Sequence, residues 1–466
     1  MESPRPFRQH PEAAITRIAP WSRRALPPLV AVLLGLWGLE RRGSMWRDES
    51  VTWQVAHRPL GGLWELLGQV DAVHGLYYLL MHGVFLAWDG GLWALRLPSV
   101  AATALAAAGV AAIGRRLAGE RAGLIAGLGY AVLPPVQMYA QEGRSYALVA
   151  AAVVWATYLM LRERWAAYAV VLLLGCWLHE FAVLALLAHG FTAWRSRGWR
   201  LAAGAVVALL LPLALVSARQ AQQQLGWLGR PAWQDWAAYG VLAAAALLLA
   251  RRAPGGLVRV ALPLALLPPG LLMAVSLLDP WYVDRYVLYA LAGLALLAGA
   301  RLASVRGWWP WLAVAALLVP FGFWSAWLRT PESRKDDVLA VAAAVREQAR
   351  PGDAVVFLPS RRREWLLSSP RVYGELRDVA LDRGPAASRS LQGTELPSPA
   401  LREALIDSPR VIALLDPADQ PLDPYPREAV KRQTLAAWFD RCSVTEVRGA
   451  RVAVYARPGG CADREP

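Results

Sequence analysis

Apolar runs of bilayer-spanning length recur from residue 25 to residue 328, most of them separated by only a few polar residues. That feature restricts the chain to a mainly α, polytopic membrane architecture, because a spanning segment must satisfy its own backbone polar groups. Composition agrees. Of 466 residues, 56% are hydrophobic, more than a soluble chain of this size carries. The formal net charge of +14 comes mostly from arginines in short loops, where they set orientation. They form no continuous basic stripe and no nucleic-acid motif, which argues against nucleic-acid binding. Many of the 23 tryptophans fall near run ends, among them Trp46, Trp88, Trp165, Trp194, Trp308 and Trp309, as interfacial belts require. Richness in Ala, Leu, Arg, Gly and Trp suggests a bacterial coding sequence.

Loop charges then order the chain. Residues 1–24 are polar and basic and read as a cytoplasmic segment, with no cleavage site after the first run. The first helix runs from near Ala25 to Leu39, with Pro27-Pro28 in its first turn. Arg41 and Arg42, just beyond it, run against this orientation. A long outer loop spans 42–74, where apolar residues at helical spacing predict short interfacial helices. The runs Leu76–Trp88 and Leu92–Gly114 follow, split at Asp89-Gly90-Gly91. Arg115, Arg116 and Arg121 place the next loop inside, whereas two full crossings would place it outside. One of the two runs therefore lies in the interface or re-enters. Beyond Arg121, arginine-bearing loops alternate with Gln141–Arg144, His179-Glu180 and Asp279–Tyr286. The whole comes to about 11–13 transmembrane or interfacial helices over residues 25–330.

Residues 331–466 are polar and lack a spanning run. They predict a small extracytoplasmic α/β domain: a helix over Asp336–Gln348, strands at Asp353–Leu358, Arg410–Leu415 and Ala450–Tyr455, and a helix at Arg427–Phe439. It reads as a lid or binding module without chemistry of its own. Cys442 and Cys461 can pair there if the domain lies outside. Cys176, in an apolar helix, reads as inert packing.

The outer side gathers Asp48, Glu49, Asp71, His74, Gln141, Glu142, Arg144, His179, Glu180, Asp279, Asp284 and Arg285. Ionisable groups at a membrane edge are functional candidates by default. The adjacent Asp48 and Glu49 stand out. A carboxylate there can serve as a base, its pKa adjusted by burial, and the arginine fork matches phosphate oxygens. Asp48 is the candidate base and Arg285 the candidate phosphate ligand. Glu49 is assigned either to orient the site or to hold a divalent cation. Plainer readings stand beside these: a solvated loop start, an interfacial His74, a local ion pair in 141–144, a packed junction at 179–180, and an Asp284–Arg285 pair. Tyr77, Tyr78 and Tyr146 read by themselves as packing residues.

Several short motifs occur in series: Arg47-Asp48-Glu49, His74–Leu80, Leu95-Arg96-Leu97-Pro98-Ser99, Gly114–Leu117, Gln141–Tyr146, His179, Asp284-Arg285-Tyr286 and Arg350-Pro351-Gly352-Asp353. In order and spacing the series resembles the C-type membrane glycosyltransferases that use polyprenyl-phosphate sugars. The branch is that of the protein O-mannosyltransferases and the lipid A aminoarabinose transferase (glycosyltransferase family 39-like). The resemblance implies an outward-facing site in a bacterial cell membrane, a catalytic Asp48 and a polyprenyl-phosphate sugar donor. It also draws Tyr146 and Tyr286 into the substrate-binding set. The expected reaction is inverting transfer of mannose or a similar hexose to a hydroxyl of a protein, glycan or lipid. Two motifs depart from the family pattern: His-Pro-Pro-Leu reads His74-Gly75-Leu76, and Glu-Ala-Arg-Pro-Tyr reads Glu142-Gly143-Arg144-Ser145-Tyr146. The alternative is a transporter or flippase of a lipid-linked or small polar substrate, which should show paired repeats of broken helices. The sequence shows no such symmetry.

Overall fold

The computed structural model describes residues 20–225, 228–305 and 307–461. The cytoplasmic segment expected over residues 1–24 lies outside the described residues as far as residue 19. Helix α1 (Pro20–Leu36) begins earlier than expected, so Pro27 and Pro28 sit inside it rather than in its first turn. The loop beyond it carries α2 (Arg47–Ala56) and α3 (Leu60–Leu67), the short helices that the apolar spacing predicts.

The two runs after the loop are α4 (Gly75–Ala87) and α5 (Leu92–Ala118). At 13 residues, α4 is shorter than a bilayer core is thick, since a helix rises only about 1.5 Å per residue. Its contacts hold it to the first loop. His82 Nδ1 lies 2.8 Å from the Ala56 carbonyl, and Asp89, just past its end, sits 3.6 Å from His57 Nε2. Trp93, at the start of α5, donates to Glu40 beside the end of α1 at 2.8 Å. Both ends of α4 thus stay on one side, and α5 packs back along α1 with Val100 against Gly35. Of the two runs, the first is therefore the one that stays with the first loop.

Next come α6 (Glu120–Val132) and α7 (Pro134–Ala140). Leu133 between them is extended, as a residue before proline must be. The remaining helices of this part are α8 (Tyr146–Leu161), α9 (Trp165–Leu178), α10 (Ala185–Ala193), α11 (Arg197–Leu225), α12 (Trp233–Ala250), α13 (Gly255–Val275), α14 (Ala290–Ser304) and α15 (Trp309–Leu328). Among the described residues, Leu92–Ala118, Arg197–Ala221 and Gly255–Val275 are long and apolar enough to cross a membrane. Small residues let these helices approach closely. A Cβ on Gly299 of α14 would come within 2.7 Å of backbone atoms of α6. Large apolar side chains on α11 and α15, including Leu209, Leu211, Leu317 and Phe323, point outward, the surface that lipid covers.

The C-terminal part is α/β. Helix α16 (Val338–Gln348) is capped by Asp337, whose carboxylate accepts from the backbone of Leu339 and Ala340. After it come β1 (Ala354–Leu358), α17 (Arg363–Leu367), α18 (Pro370–Gly374) and β2 (Arg377–Asp378). Then follow β3 (Leu381–Arg383), β4 (Thr394–Glu395), α19 (Ser398–Ile406), β5 (Arg410–Leu415), α20 (Pro426–Trp438), β6 (Asp440–Val447) and β7 (Ala450–Ala456). The main sheet runs β2-β1-β5-β7-β6, parallel across β2, β1 and β5 and antiparallel across β7 and β6. Alternation along β1 sends Val355 and Phe357 to one face and Ala354, Val356 and Leu358 to the other. The first face shares its core with the membrane helices through Val338, Trp365 and Leu366. Cys442 and Cys461 are joined in a disulfide, and Cys176 is a buried free thiol.

The placement of α4 can be tested by labelling. Single cysteines at Arg42 and Asp89 should react with a membrane-impermeant maleimide from the same side, and one at Glu163 from the opposite side. Labelling of the Asp89 and Arg42 positions from opposite sides would contradict it.

Candidate active site

The first turn of α2 separates its two acids. Glu49 turns inward and is fully buried. Arg96 of α5 grips it bidentately, Nε to Oε1 and Nη2 to Oε2, both at 2.7 Å. Arg41 pairs with it from the other side, and the Gly143 N–H donates to Oε1 at 3.0 Å. Burial alone would raise the Glu49 carboxyl, but Arg41 and Arg96 outweigh it and hold it down at about 2. Arg96 also donates to the carbonyls of Leu39 and Ser44, each at 2.6 Å. Arg41, which the loop reading treats as an orientation signal, is therefore the buried partner of Glu49. Glu49 cannot hold a cation here, because both oxygens are taken and two guanidinium groups would repel one. It lies beneath the site and positions it.

The same cluster shapes the turn between α7 and α8. Ser99 Oγ donates to the carbonyl of Glu142 at 2.6 Å, and Thr52 Oγ1 to that of Gly143 at 2.9 Å. A Cβ on Gly143 would fall 2.5 Å from the Leu95 side chain, so the glycine in this motif makes room for Leu95. Gln141 donates to the carbonyls of Gly35 and Trp37 at 2.9 and 2.6 Å and so ties the turn to α1. Glu142 is buried, with Arg334 Nε 3.6 Å from its carboxylate, beyond hydrogen-bonding reach. Burial pushes this carboxyl up to about 7.

Asp48 instead faces a cavity of about 320 Å³. Arg285 Nη2 stands 3.5 Å from its Oδ2. Arg285 Nε donates to Tyr146 Oη at 3.0 Å, and its guanidinium lies over the rings of Trp46, Tyr146 and Tyr286, a cation–π setting. A second arginine, Arg144, also lines the cavity. Its Nη2 meets His74 Nε2 at 2.6 Å, and its Nη1 meets Tyr78 Oη at 3.4 Å. Tyr78 donates to Asp71 Oδ2 at 2.7 Å. An arginine can only donate, so Nε2 of His74 is the acceptor and its proton sits on Nδ1. Burial, then the neighbouring Arg144, His179 and Arg285, keep His74 well below the usual histidine range. His179 is lowered in the same way, to about 3. Both imidazoles are therefore neutral at neutral pH. His179 packs 4.4 Å from Tyr286, ring to ring.

Nine of the sequence candidates thus line one cavity: Asp48, Asp71, His74, Arg144, Tyr146, His179, Glu180, Arg285 and Tyr286. Glu49, Gln141 and Glu142 lie outside its lining. Asp284 is exposed; its Oδ1 accepts from the Arg285 N–H at 2.8 Å, while the Arg285 side chain pairs with Asp48. Asp279 is exposed past the end of α13. Tyr78, read as packing, belongs to the Asp71–Arg144 network. Among the described residues, no group of three or more His, Cys, Asp or Glu is arranged to hold a metal.

Sequence reasoning read the C-terminal part as a lid or binding module but named none of its residues in the site. Arg361, Glu364, Leu391 and Gln392 of the C-terminal part line the cavity. Glu364 pairs with Arg47 at 3.4 Å. Two bonds to the backbone at the start of α2 and just before it seat the roof: Asp336 Oδ1 accepts from Arg47 N at 2.7 Å, and Val338 N donates to Met45 O at 2.8 Å. The run Arg361-Arg362-Arg363-Glu364, in a chain segment without spanning helices, was the signal available.

No family model matches the chain, and no curated protein matches it by sequence. Solved structures do. ArnT from Cupriavidus metallidurans in the apo state superposes with a TM-score of 0.58 at 14% identity, over 94% of this chain and 98% of that one. The same protein bound to undecaprenyl phosphate gives 0.54 at 14% identity, with the same coverage. The likeness shows the fold: this chain has the mainly α membrane fold of ArnT, with a C-terminal α/β domain.

Two substitutions test the buried framework. Glu49→Gln leaves Arg41 and Arg96 without their counter-charge. It should cost on the order of 3–5 kcal/mol, read as a large fall in melting temperature; unchanged stability would contradict the role given to Glu49. Glu142 holds its proton more tightly when folded than when unfolded, so its contribution to stability is complete at low pH. That contribution is lost as pH rises through about 7. Melting temperature should fall more between pH 5 and 8 in the wild type than in Glu142→Gln. Parallel pH profiles would refute this.

Proposed function

We propose that the chain is an integral membrane glycosyltransferase that moves a sugar from a polyprenyl-phosphate donor to an acceptor hydroxyl. One observation carries this reading: Asp48 and Arg285 stand 3.5 Å apart in the lining of a cavity that a second arginine, Arg144, also lines. A carboxylate and two guanidinium groups in one cavity supply what such a transfer needs. The acceptor oxygen attacks the anomeric carbon and passes its proton to Asp48. The bond from that carbon to the phosphate oxygen breaks, and the electrons leave with the phosphate. Arg285 and Arg144 meet the growing negative charge, as fork donors suited to phosphate. Attack from the face opposite the leaving group inverts the anomeric centre.

The neutral histidines suit this scheme. His74 Nδ1, buried with no partner among the described residues, is free to donate to a sugar or phosphate oxygen. Tyr146 orients Arg285, and Tyr286 and His179 supply ring faces for a sugar. Support for the lipid carrier comes from the shared fold, since ArnT was solved with undecaprenyl phosphate. The sugar is a hexose such as mannose, and the acceptor is a protein, glycan or lipid hydroxyl.

Orientation belongs to the same proposal. The N-terminus lies in the bacterial cytoplasm, and the cavity and residues 331–466 lie outside. The Cys442–Cys461 disulfide supports an oxidising compartment for that domain. The arginines of the loops at 115–121, 162–164, 195–200 and 251–252 support the cytoplasmic assignment of the other face.

Asp48→Asn keeps the shape of the side chain and removes the base. Transfer from a polyprenyl-phosphate sugar should fall by roughly 10²–10⁴-fold with expression and melting temperature intact. An Asp48→Asn protein with wild-type transfer would overturn the base assignment.

A further inference from the structure

The C-terminal domain holds a second cavity, about 500 Å³ in volume, which shares no lining residue with the cavity at Asp48. It opens where β1 and β5 end: Leu358 with Pro359, and Leu415 with Asp416, form its floor. These neighbouring strands are parallel, and the chain leaves them toward opposite faces of the sheet. After β1 it enters α17, whose Trp365 and Leu366 pack on the face shared with the membrane helices. After β5 it enters α20, whose Leu435 packs on the other face. In open α/β sheets the crevice outside the carboxyl ends of two such strands is where ligands bind.

The lining states the ligand's charge. Arg432, Arg441 and Arg451 all border the crevice. Its two acids are already committed. Asp416 pairs with Arg361 at 2.7 Å and with Arg362 at 2.5 Å, and Asp423 pairs with Arg361 at 3.0 Å. Arg432 and Arg451 donate to the backbone carbonyls of Asp423 and Asp416, at 3.1 and 2.9 Å, rather than to carboxylates. The positive charge of these three arginines is therefore left facing the crevice. Tyr455 and Leu435 add an apolar wall.

We propose that this crevice is a separate binding site for an anionic saccharide, whose carboxylate or phosphate meets the arginines while a sugar ring lies on Tyr455. The arginine fork suits either anion, and a ring face on an aromatic suits a sugar. The site does not depend on the transfer reaction and can be occupied in an inactive protein.

The test is equilibrium binding to the full-length protein in nanodiscs, with the Asp48→Asn protein as a parallel sample. The probes are a hexuronate tetrasaccharide, a sugar phosphate, a neutral tetrasaccharide and inorganic phosphate. Both anionic saccharides should bind, the neutral one at least ~10-fold more weakly, as expected when charged hydrogen bonds are lost. Arg441→Gln, at an exposed position, and Arg451→Gln should each weaken anionic binding ~10-fold, and Asp48→Asn should leave it unchanged. Equal binding of neutral and anionic sugars, or binding indifferent to both arginine variants, would overturn the proposal. Binding of inorganic phosphate as tight as that of the saccharides would overturn the saccharide assignment. If Arg451→Gln fails to fold, Arg441→Gln alone decides.

Discussion

The buried carboxylate of Glu49 is the joint on which the site depends. Three separate parts of the chain converge on it: the exit of α1 through Arg41, the start of α5 through Arg96, and the α7–α8 turn through the Gly143 N–H. A buried charge of this kind is tolerable only when its counter-charges and hydrogen bonds are complete. Removing any one of them leaves a charge stranded in a dry interior. The geometry is therefore over-determined, and Asp48, one residue earlier on the same helical turn, inherits that rigidity. The cost of burying Glu49 is offset by the arginines, and the result is a fixed placement of its neighbour.

A second consequence follows from the docking of the C-terminal domain. Asp336 and Asp337 bind the backbone of Met45 and Arg47 just before Asp48, and Glu364 pairs with Arg47. Arg361, Glu364 and Gln392 close the cavity above. The segments that join the membrane helices supply Asp48, Arg144 and Arg285, and the α/β domain supplies the roof. Water has less access to a cavity closed in this way, and charge interactions inside it strengthen as water leaves.

Much of this was legible in the chain, for identifiable reasons. Helices α8, α9 and α14 could be placed because loop arginines and apolar length mark them independently. Asp48 could be singled out because it belongs to an adjacent acid pair just past the first apolar run, and Arg285 because an arginine fork suits phosphate oxygens. The division of labour between Asp48 and Glu49 was not legible: adjacent acids look alike until the helix turn sends one inward. The partners of Glu49 lie 8 and 47 residues away in the chain, and no spacing rule connects them. The course of α4 was hidden for a similar reason, since an interfacial helix and a short crossing have the same apolar composition. The roof residues belong to a domain whose docking face is set by tertiary packing. β6, with mostly exposed side chains, has no apolar alternation to announce it.

In the proposed reaction this cavity breaks the bond between a sugar and a polyprenyl phosphate. The most direct measurement incubates the purified protein with a panel of polyprenyl-phosphate sugars and follows release of free polyprenyl phosphate. At least one donor should release polyprenyl phosphate, with the sugar appearing on an acceptor or in water. Intact donors throughout the panel, together with movement of a substrate into proteoliposomes without cleavage, would contradict it.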